Sequence, residues 1–418
     1  MHCNPDGKWG SIVAGCPLMS TFLLILGLLL FLDIVWWRLA HRWSRGKAHW
    51  RLFNFFFLLA QILGFAFLIG GRIAGIFWNL PTPILSSIYL WHLLFLPVLL
   101  ATGIFGIPFL LFCFLRRRSQ KTESSSSDIS ESGTQTRRQF LATAAVVAPP
   151  LFNIALTGFS QGQLEQFRVR EMELVIPTLP PALDGITICH VSDLHVGPFT
   201  SERVIRRVAE KINRLRADLV LFTGDLINSK LSELPTGIDF IRSLGARFGV
   251  ATIEGNHDLF EGRAAFENAF RAAGLRLLVN DREIISVREF PVQILGLRWS
   301  GPGETARASG DDLIADSMRD LLVQRNADAF PILLAHHPHA FDEAVRARLP
   351  LTLAGHTHGG QLMLSPHVGA GPMMFRYWSG KYERSQSQLI VNNGVGNWFP
   401  LRTASPAEII HLRLHRSA

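Results

Sequence analysis

The apolar residues of this chain crowd towards its front, and that placement limits what it can fold into. From Phe22 to Leu115 the sequence runs in long apolar stretches broken by short polar ones. Those at Phe22–Trp37 and Leu52–Gly70 are each long enough to cross a bilayer, which takes roughly 20 apolar residues. A third, Ile84–Leu115, exceeds one crossing. Pro97 and Pro108 interrupt it, so it reads as one long kinked span. A chain of 418 residues also has room for at least one further unit.

The formal charge of +8 sorts the same way. Residues 1–140 hold 13 Lys and Arg against 5 Asp and Glu, and the remainder holds 28 of each sign. A nucleic-acid binder carries its excess on the folded domain. Here the excess flanks the apolar runs, where Lys and Arg mark the cytoplasmic side, and nucleic acid is set aside as a partner. The loop from Arg38 to Arg51 and the Arg116-Arg117-Arg118 cluster are cytoplasmic on this rule. Trp36, Trp37, Trp43 and Trp50 suit an interfacial belt. Asp33, one turn from the end of the first span, is expected to reach the interface or pair with a loop arginine. Cys3, Cys16, Cys113 and Cys189 lack paired spacing and imply no disulfide framework. Val13-Ala14-Gly15-Cys16 has the outline of a lipoprotein box, but no apolar run precedes it.

Residues 1–118 thus form an all-α transmembrane region of about three spans. Residues 119–139, rich in Ser, Thr, Glu and Gln, read as a flexible linker. Arg137-Arg138 precede an apolar, Ala-rich run over 140–160, which reads equally as a twin-arginine export signal or a fourth span. Both readings put residues 161–418 on the periplasmic, extracytoplasmic side of the cell (inner) membrane, in a multi-pass protein.

Residues 161–418 have the composition of a soluble domain. Gly185–Val191, Leu219–Thr223, Val250–Ile253, Val292–Leu295, Pro331–Ala335 and Leu351–Ala354 read as strands. Glu202–Leu215 has helical spacing, with Val204, Ile205, Val208, Ile212 and Leu215 on one face. The alternation predicts an α/β fold. Cys189 falls inside a predicted strand and reads as an inert core thiol.

Five short blocks each follow a predicted strand: Asp193-Leu194-His195, Gly224-Asp225, Gly255-Asn256-His257-Asp258, His336-His337-Pro338 and Gly355-His356-Thr357-His358-Gly359-Gly360. Residues just past the carboxyl ends of strands in an α/β sheet gather at one edge, where ligands bind. Asp, Asn and His offer oxygen and nitrogen to divalent metals. The absence of cysteine argues against a structural zinc site. Two metals roughly 3.5–4 Å apart can share a carboxylate and activate water against a phosphoryl group. Each block alone is a weak signal; their order and placement give the specificity.

The region from Glu173 to Leu414 resembles the calcineurin-like metallophosphoesterase superfamily. The block running on to Gln361, and the tail Asn393-Gly394-Val395-Gly396, Leu401-Arg402 and Pro406-Ala407-Glu408, resemble its bacterial membrane-associated branch of phosphodiesterases and UDP-diacylglucosamine pyrophosphatases. The resemblance implies a four-layer α/β/β/α sandwich and two divalent ions, Mn2+, Fe2+ or Zn2+. It implies Asp193, His195 and His358 on one metal, Asn256, His336 and His356 on the other, and Asp225 bridging, with a shared water or hydroxide as nucleophile. His257 would face the scissile phosphate, and Asp258 would orient His257. His337, beside a ligand position, is not expected to bind metal. His190 reads as a core histidine, and His339, His367, His411 and His415 as surface or loop residues. Phe199, Trp299, Trp378 and Trp398 read as core or rim packing.

The function expected is a membrane-anchored phosphodiesterase or pyrophosphatase, acting on a phosphate ester that can be lipid-linked. Alternatives are a UDP-2,3-diacylglucosamine hydrolase of lipid A biosynthesis, whose cytoplasmic substrate conflicts with the expected topology, and a membrane sensor with a regulatory phosphoesterase domain. The unsubstituted ligand set argues against an inactive domain.

Overall fold

The computed structural model describes residues 17–73, 80–119, 137–300, 310–365 and 367–417. The Val13–Cys16 box and residues 120–136 of the expected linker lie outside the described residues. The chain divides into two compact units, Met1–Gly158 and Phe159–Ala418.

The first unit is helical: α1 (Pro17–Trp43), α2 (Ala48–Ile73), α3 (Thr82–Tyr89), α4 (Leu96–Ser119) and most of α5 (Arg137–Leu164). Among the described residues, four stretches are long and apolar enough to cross a membrane: Leu24–Trp43, Ala48–Gly71, Thr82–Gly106 and Phe140–Leu164. The third is continuous because a π-helical turn, Leu90–Phe95, joins α3 to α4. Pro97 has no N–H to return to the carbonyl four residues back, and the chain accommodates the gap by widening the turn. The N–H of Leu96 reaches the carbonyl of Trp91, five residues behind.

That turn aims Trp91 and His92 at Asp33. Nε1 of Trp91 donates to Oδ1 of Asp33 at 2.9 Å, and Nε2 of His92 lies 3.3 Å from Oδ2. Asp33 is therefore fully buried between helices rather than reaching the interface or a loop arginine. Trp36 also departs from the belt reading: it is buried, edge-on to Trp91 at 5.6 Å.

The second unit contains β1 (Phe167–Ile176), β2 (Thr187–Val191), α6 (Glu202–Leu215), β3 (Leu219–Phe222), α7 (Leu234–Ser243), β4 (Gly249–Thr252), α8 (Arg263–Ala272), β5 (Asp281–Val287), β6 (Phe290–Gly296), α9 (Gly310–Leu322), β7 (Phe330–Leu334), α10 (Ala340–Arg346), β8 (Leu351–Ala354), β9 (Met363–Ser365), β10 (Val368–Gly369), α11 (Ala370–Met374), β11 (Gly380–Arg384), β12 (Ser387–Val391) and β13 (Ala407–Arg416). One sheet has the order β1-β13-β2-β3-β4, the other β11-β12-β8-β7-β6-β5, and β9 and β10 form a separate hairpin. The runs β2-β3-β4 and β12-β8-β7-β6 are parallel.

Strand alternation builds the layers. Ile188, Leu219, Leu221, Ile332, Leu334, Leu351 and Leu353 point into the core between the sheets. Their neighbours Cys189, Val191, Val220 and Phe222 point outward under α6, α7 and α8. Leu295, Leu333, Leu389 and Val391 point outward under α9 and α10. The result is the four-layer α/β/β/α sandwich. α6 shows the local logic: Ser201 caps its start by accepting from the N–H of Val204, and Val204, Ile205, Val208 and Ile212 form its buried stripe. Burying each such side chain contributes about 1.5–3 kcal/mol, so Val208→Asp would detach the helix.

Candidate metal centre

The five blocks leave the carboxyl ends of β2, β3, β4, β7 and β8, and backbone hydrogen bonds sew them together. Asp193 N–H donates to the Gly224 carbonyl at 2.9 Å, His195 N–H to the Asp225 carbonyl at 3.1 Å, and Gly355 N–H to the His336 carbonyl at 3.1 Å. The two sheets meet where the His356 N–H donates to the Asp193 carboxylate at 3.1 Å. Asp193, His195, Asp225, His356 and His358 all have positive φ, between 46° and 72°. Side chains disfavour this left-handed region, and such strain gathers at sites whose geometry matters. Gly255 is required by proximity: a Cβ there would overlap Oδ1 of Asp225.

Three sets of side chains converge closely enough to hold a cation: Asp193, His195 and His358; His195, Asp225 and His257; and Asp225, His336 and His356. Asp225 belongs to the second and third sets and adjoins the first through His195, which the first two sets share. Its Oδ2 lies 3.1 Å from Nε2 of His336 and 3.5 Å from Nε2 of His195. Asn256 joins the third set, with Oδ1 2.9 Å from Nδ1 of His356. His336 is aimed by its Nδ1, which donates to the Thr223 carbonyl at 2.7 Å. The seven expected ligands are thus in one place.

The donor chemistry fits positive ions. Nε2 of His195 and Nε2 of His358 face each other at 2.9 Å, and among the described residues neither Asp193 nor Asp225 pairs with Lys or Arg. Burial would raise the Asp193 carboxyl, yet the His358 imidazole and the hydrogen bonds of His195 and His358 hold it well below the usual range. Burial would lower the His336 imidazole, but the charge of Asp225 outweighs it and lifts it to about 9. The two carboxylates favour positive charge beside them, while burial lowers the imidazoles of His195, His356 and His358 and keeps them neutral, as a ligand must be.

His257 and Asp258 separate in role. Nδ1 of His257 donates to the Asn228 carbonyl at 2.6 Å, and its ring centroid lies 4.6 Å from that of His195. The Asp258 carboxylate does not orient that ring. It accepts the backbone N–H groups of Asp225, Leu226, Ile227 and Gly255 at 3.0, 2.8, 3.0 and 2.8 Å. Four donors converge where two strand-end loops cross, and only a carboxylate has acceptor capacity for all of them.

The remaining histidines stay outside the three sets. His190 is buried, 3.0 Å from the Thr223 hydroxyl, and burial lowers it to about 3. Nδ1 of His337 accepts from the His339 N–H at 3.2 Å. His411 pairs with Glu171 at 2.7 Å.

Three features beside the centre were not expected to act on it. Trp299 lies over His336, His337 and His356, with ring centroids at 5.5, 5.7 and 5.1 Å. Glu254 and Arg263, themselves an ion pair, hold it there: Glu254 accepts its N–H at 3.3 Å and Arg263 donates to its carbonyl at 2.9 Å. A glutamate inside a buried strand end was the available signal. The third is Arg402, an arginine in an otherwise uncharged loop, which contacts His358.

The calcineurin-like phosphoesterase profile matches residues 186–360, which contain all five blocks. The uncharacterized metallophosphoesterase YkuE of Bacillus subtilis is 30% identical over 286 residues, spanning 65% of this chain and 95% of that protein. This chain belongs to the calcineurin-like metallophosphoesterases. A transmembrane protein with metallophosphoesterase domain from Danio rerio is 27% identical over 317 residues, or 72% of this chain and 67% of that one. A solved dimetal phosphatase from Danio rerio aligns at 12% identity over 51% of this chain and 88% of that one, with a TM-score of 0.31, too low to carry weight. As a metallophosphoesterase, the chain has a family chemistry of metal-dependent phosphoester hydrolysis, and its His and Asp clusters are the candidate metal-binding residues.

Proposed function

We propose that this chain is a membrane-anchored, two-metal phosphodiesterase or pyrophosphatase whose catalytic unit lies outside the cytoplasm. The observation that carries the reading is that one carboxylate, Asp225, lies 3.1 Å from His336 of one outer ligand set and 3.5 Å from His195 of the other. Asp193, His195 and His358 would hold one ion, Asn256, His336 and His356 the other, and Asp225 would bridge. Divalent ions there supply Lewis acidity towards a phosphoryl oxygen and activation of water. With Nδ1 of His257 committed to the Asn228 carbonyl, only its Nε2 exchanges a proton with substrate or holds a phosphate oxygen. Trp299 covers the side of His356, with ring centroids 5.1 Å apart. The positive-inside pattern of the spans supports the external placement, and the transmembrane relatives support the anchor.

Full-length protein supplied with Mn2+, Fe2+ or Zn2+ is expected to retain about two equivalents of metal and to cleave a bis-aryl phosphodiester. Asp225→Ala should lose both. Full activity in metal-free wild type would refute the mechanism. A reporter fused after Ala418 that matures in the cytoplasm would refute the topology.

A further inference from the structure

The last turns of α5, the end of the candidate span Phe140–Leu164, grip the loop that follows β12. Ser160 Oγ accepts the Arg402 N–H at 2.8 Å, and the Leu164 carbonyl accepts from Nδ2 of Asn397 at 3.1 Å. Gln161 Nε2 donates to the Pro400 carbonyl at 3.5 Å. The same loop carries Trp398, exposed and 6.1 Å from the His257 ring.

The β9–β10 hairpin and α11 hang from this loop. Gln361 donates to the carbonyls of Phe399 and Leu401 at 3.1 and 2.8 Å, and Met363 N–H donates to the Thr403 carbonyl at 3.0 Å. Leu364 and Met373 are 85% exposed, Met374 70% and Val368 56%, with Leu362 beside them. Elsewhere among the described residues of this unit, exposed large apolar side chains are scattered along the sequence. The sequence from Arg348 to Arg376 has no charged residue between those two. Exposed apolar side chains gathered on so short a segment mark a contact surface. It also borders the ligands: the Phe375 ring, one residue past α11, lies 5.9 Å from His356.

We infer that residues 362–365 and 367–374 form a lip seated in the lipid surface from which α5 emerges. The substrate is then an amphiphilic phosphate ester, whose phosphate reaches the metal centre while its apolar tail stays in the lip and bilayer. The occupant is lipid rather than another protein because the lip is suspended from the loop that holds the end of a membrane-spanning helix. Exposed apolar side chains without charged neighbours in sequence enter the boundary between headgroups and acyl chains. The substrate half of the inference rests on the phosphoesterase reading above; the lip does not.

The test uses the full chain in nanodiscs, with Cys3, Cys16 and Cys113 changed to Ser. An environment-sensitive fluorophore is placed on Leu364→Cys, on Met373→Cys or, as an equally exposed control, on Val323→Cys. Doxyl-labelled lipids should quench the first two and not the third. Equal, water-like signals at all three would overturn the lip. Shielding from water without doxyl quenching would mean that a protein or a second copy covers it, and would equally overturn it. The triple variant Leu364→Ser, Met373→Ser, Met374→Ser should lower kcat/KM for a nanodisc-embedded lipid phosphate ester roughly tenfold or more, with bis(p-nitrophenyl) phosphate turnover unchanged. An equal fall for both substrates would make the segment merely structural. Quenching at the lip with no ester cleaved by wild type would sink the phosphoesterase reading and leave the lip standing.

Discussion

Nη2 of Arg402 donates to Nδ1 of His358 at 3.0 Å. A guanidinium has no acceptor, so Nδ1 is unprotonated and a neutral His358 carries its proton on Nε2, facing Asp193 and His195. Nε2 is then the ring nitrogen that would face a cation held by Asp193, His195 and His358. Arg402 is fully buried, and its other donors reach the Asn397 side chain and the carbonyls of Asn393, Ser405 and Gly396 at 2.8–3.2 Å. Removing it leaves five buried acceptors unpaired. Arg402→Met should cost roughly 3–5 kcal/mol in thermal unfolding and weaken metal retention. Arg402→Lys, with three donors, should recover part of both. Wild-type stability in Arg402→Met would sink this role.

Asp258 and His257 are neighbours with opposite expected phenotypes. Asp258→Asn turns two amide hydrogens towards backbone N–H groups that now face a carboxylate. It should lose metal and destabilise the unit by about 1–3 kcal/mol or more. His257→Ala removes a ring whose one hydrogen bond among the described residues is at Nδ1. It should keep metal and melting temperature and lose about 10²–10⁴-fold in turnover. Metal analysis with calorimetry on both variants separates the roles; identical behaviour would refute them.

Much of this site was legible because strand-end blocks advertise themselves. The runs ending at Val191, Phe222, Thr252, Leu334 and Ala354 are short and apolar, and the ligands stand directly after them. What stayed hidden depends on tertiary pairing. Nothing near Asp258 announces that four N–H groups from two loops will meet it, and its place beside His257 suggested the wrong partner. Asp33 misled for the same reason: its partners are 58 and 59 residues away, on a π turn created by Pro97. The strand β13 pairs antiparallel with β2 and parallel with β1, a choice of neighbours that alternation alone does not encode.

The buried Asp33 contact should hold the helical unit together. Asp33→Ala strands the indole N–H of Trp91 and the imidazole of His92 in an apolar core, at about 1–3 kcal/mol for a buried group left unpaired. Asp33→Asn keeps an acceptor for Trp91 and should lose less. Thermal unfolding of the full chain in detergent, followed by tryptophan fluorescence, orders the three proteins. Equal transitions for Asp33→Ala and wild type would make the contact incidental.

Cys189 tests the packing beneath the centre. It lies on β2 under the helices, and burial, reinforced by the charge of Glu171, pushes its thiol from the usual 9.0 up to about 12. A thiol reagent at pH 8 should leave it unmodified in the folded chain and label it on denaturation. The same shift sets a sign. Between pH 9 and 12 the unfolded chain has released this proton and the folded chain has not, so the folded state loses stability as pH rises through that window. At 1.36 kcal/mol per pKa unit the loss approaches about 4 kcal/mol by pH 12. Cys189→Val keeps the shape and removes the proton. The difference between wild-type and variant stability should therefore be flat below pH 9 and shift steadily towards the variant above it, and a difference that stays flat to pH 11 would show that the thiol is not sealed in the core.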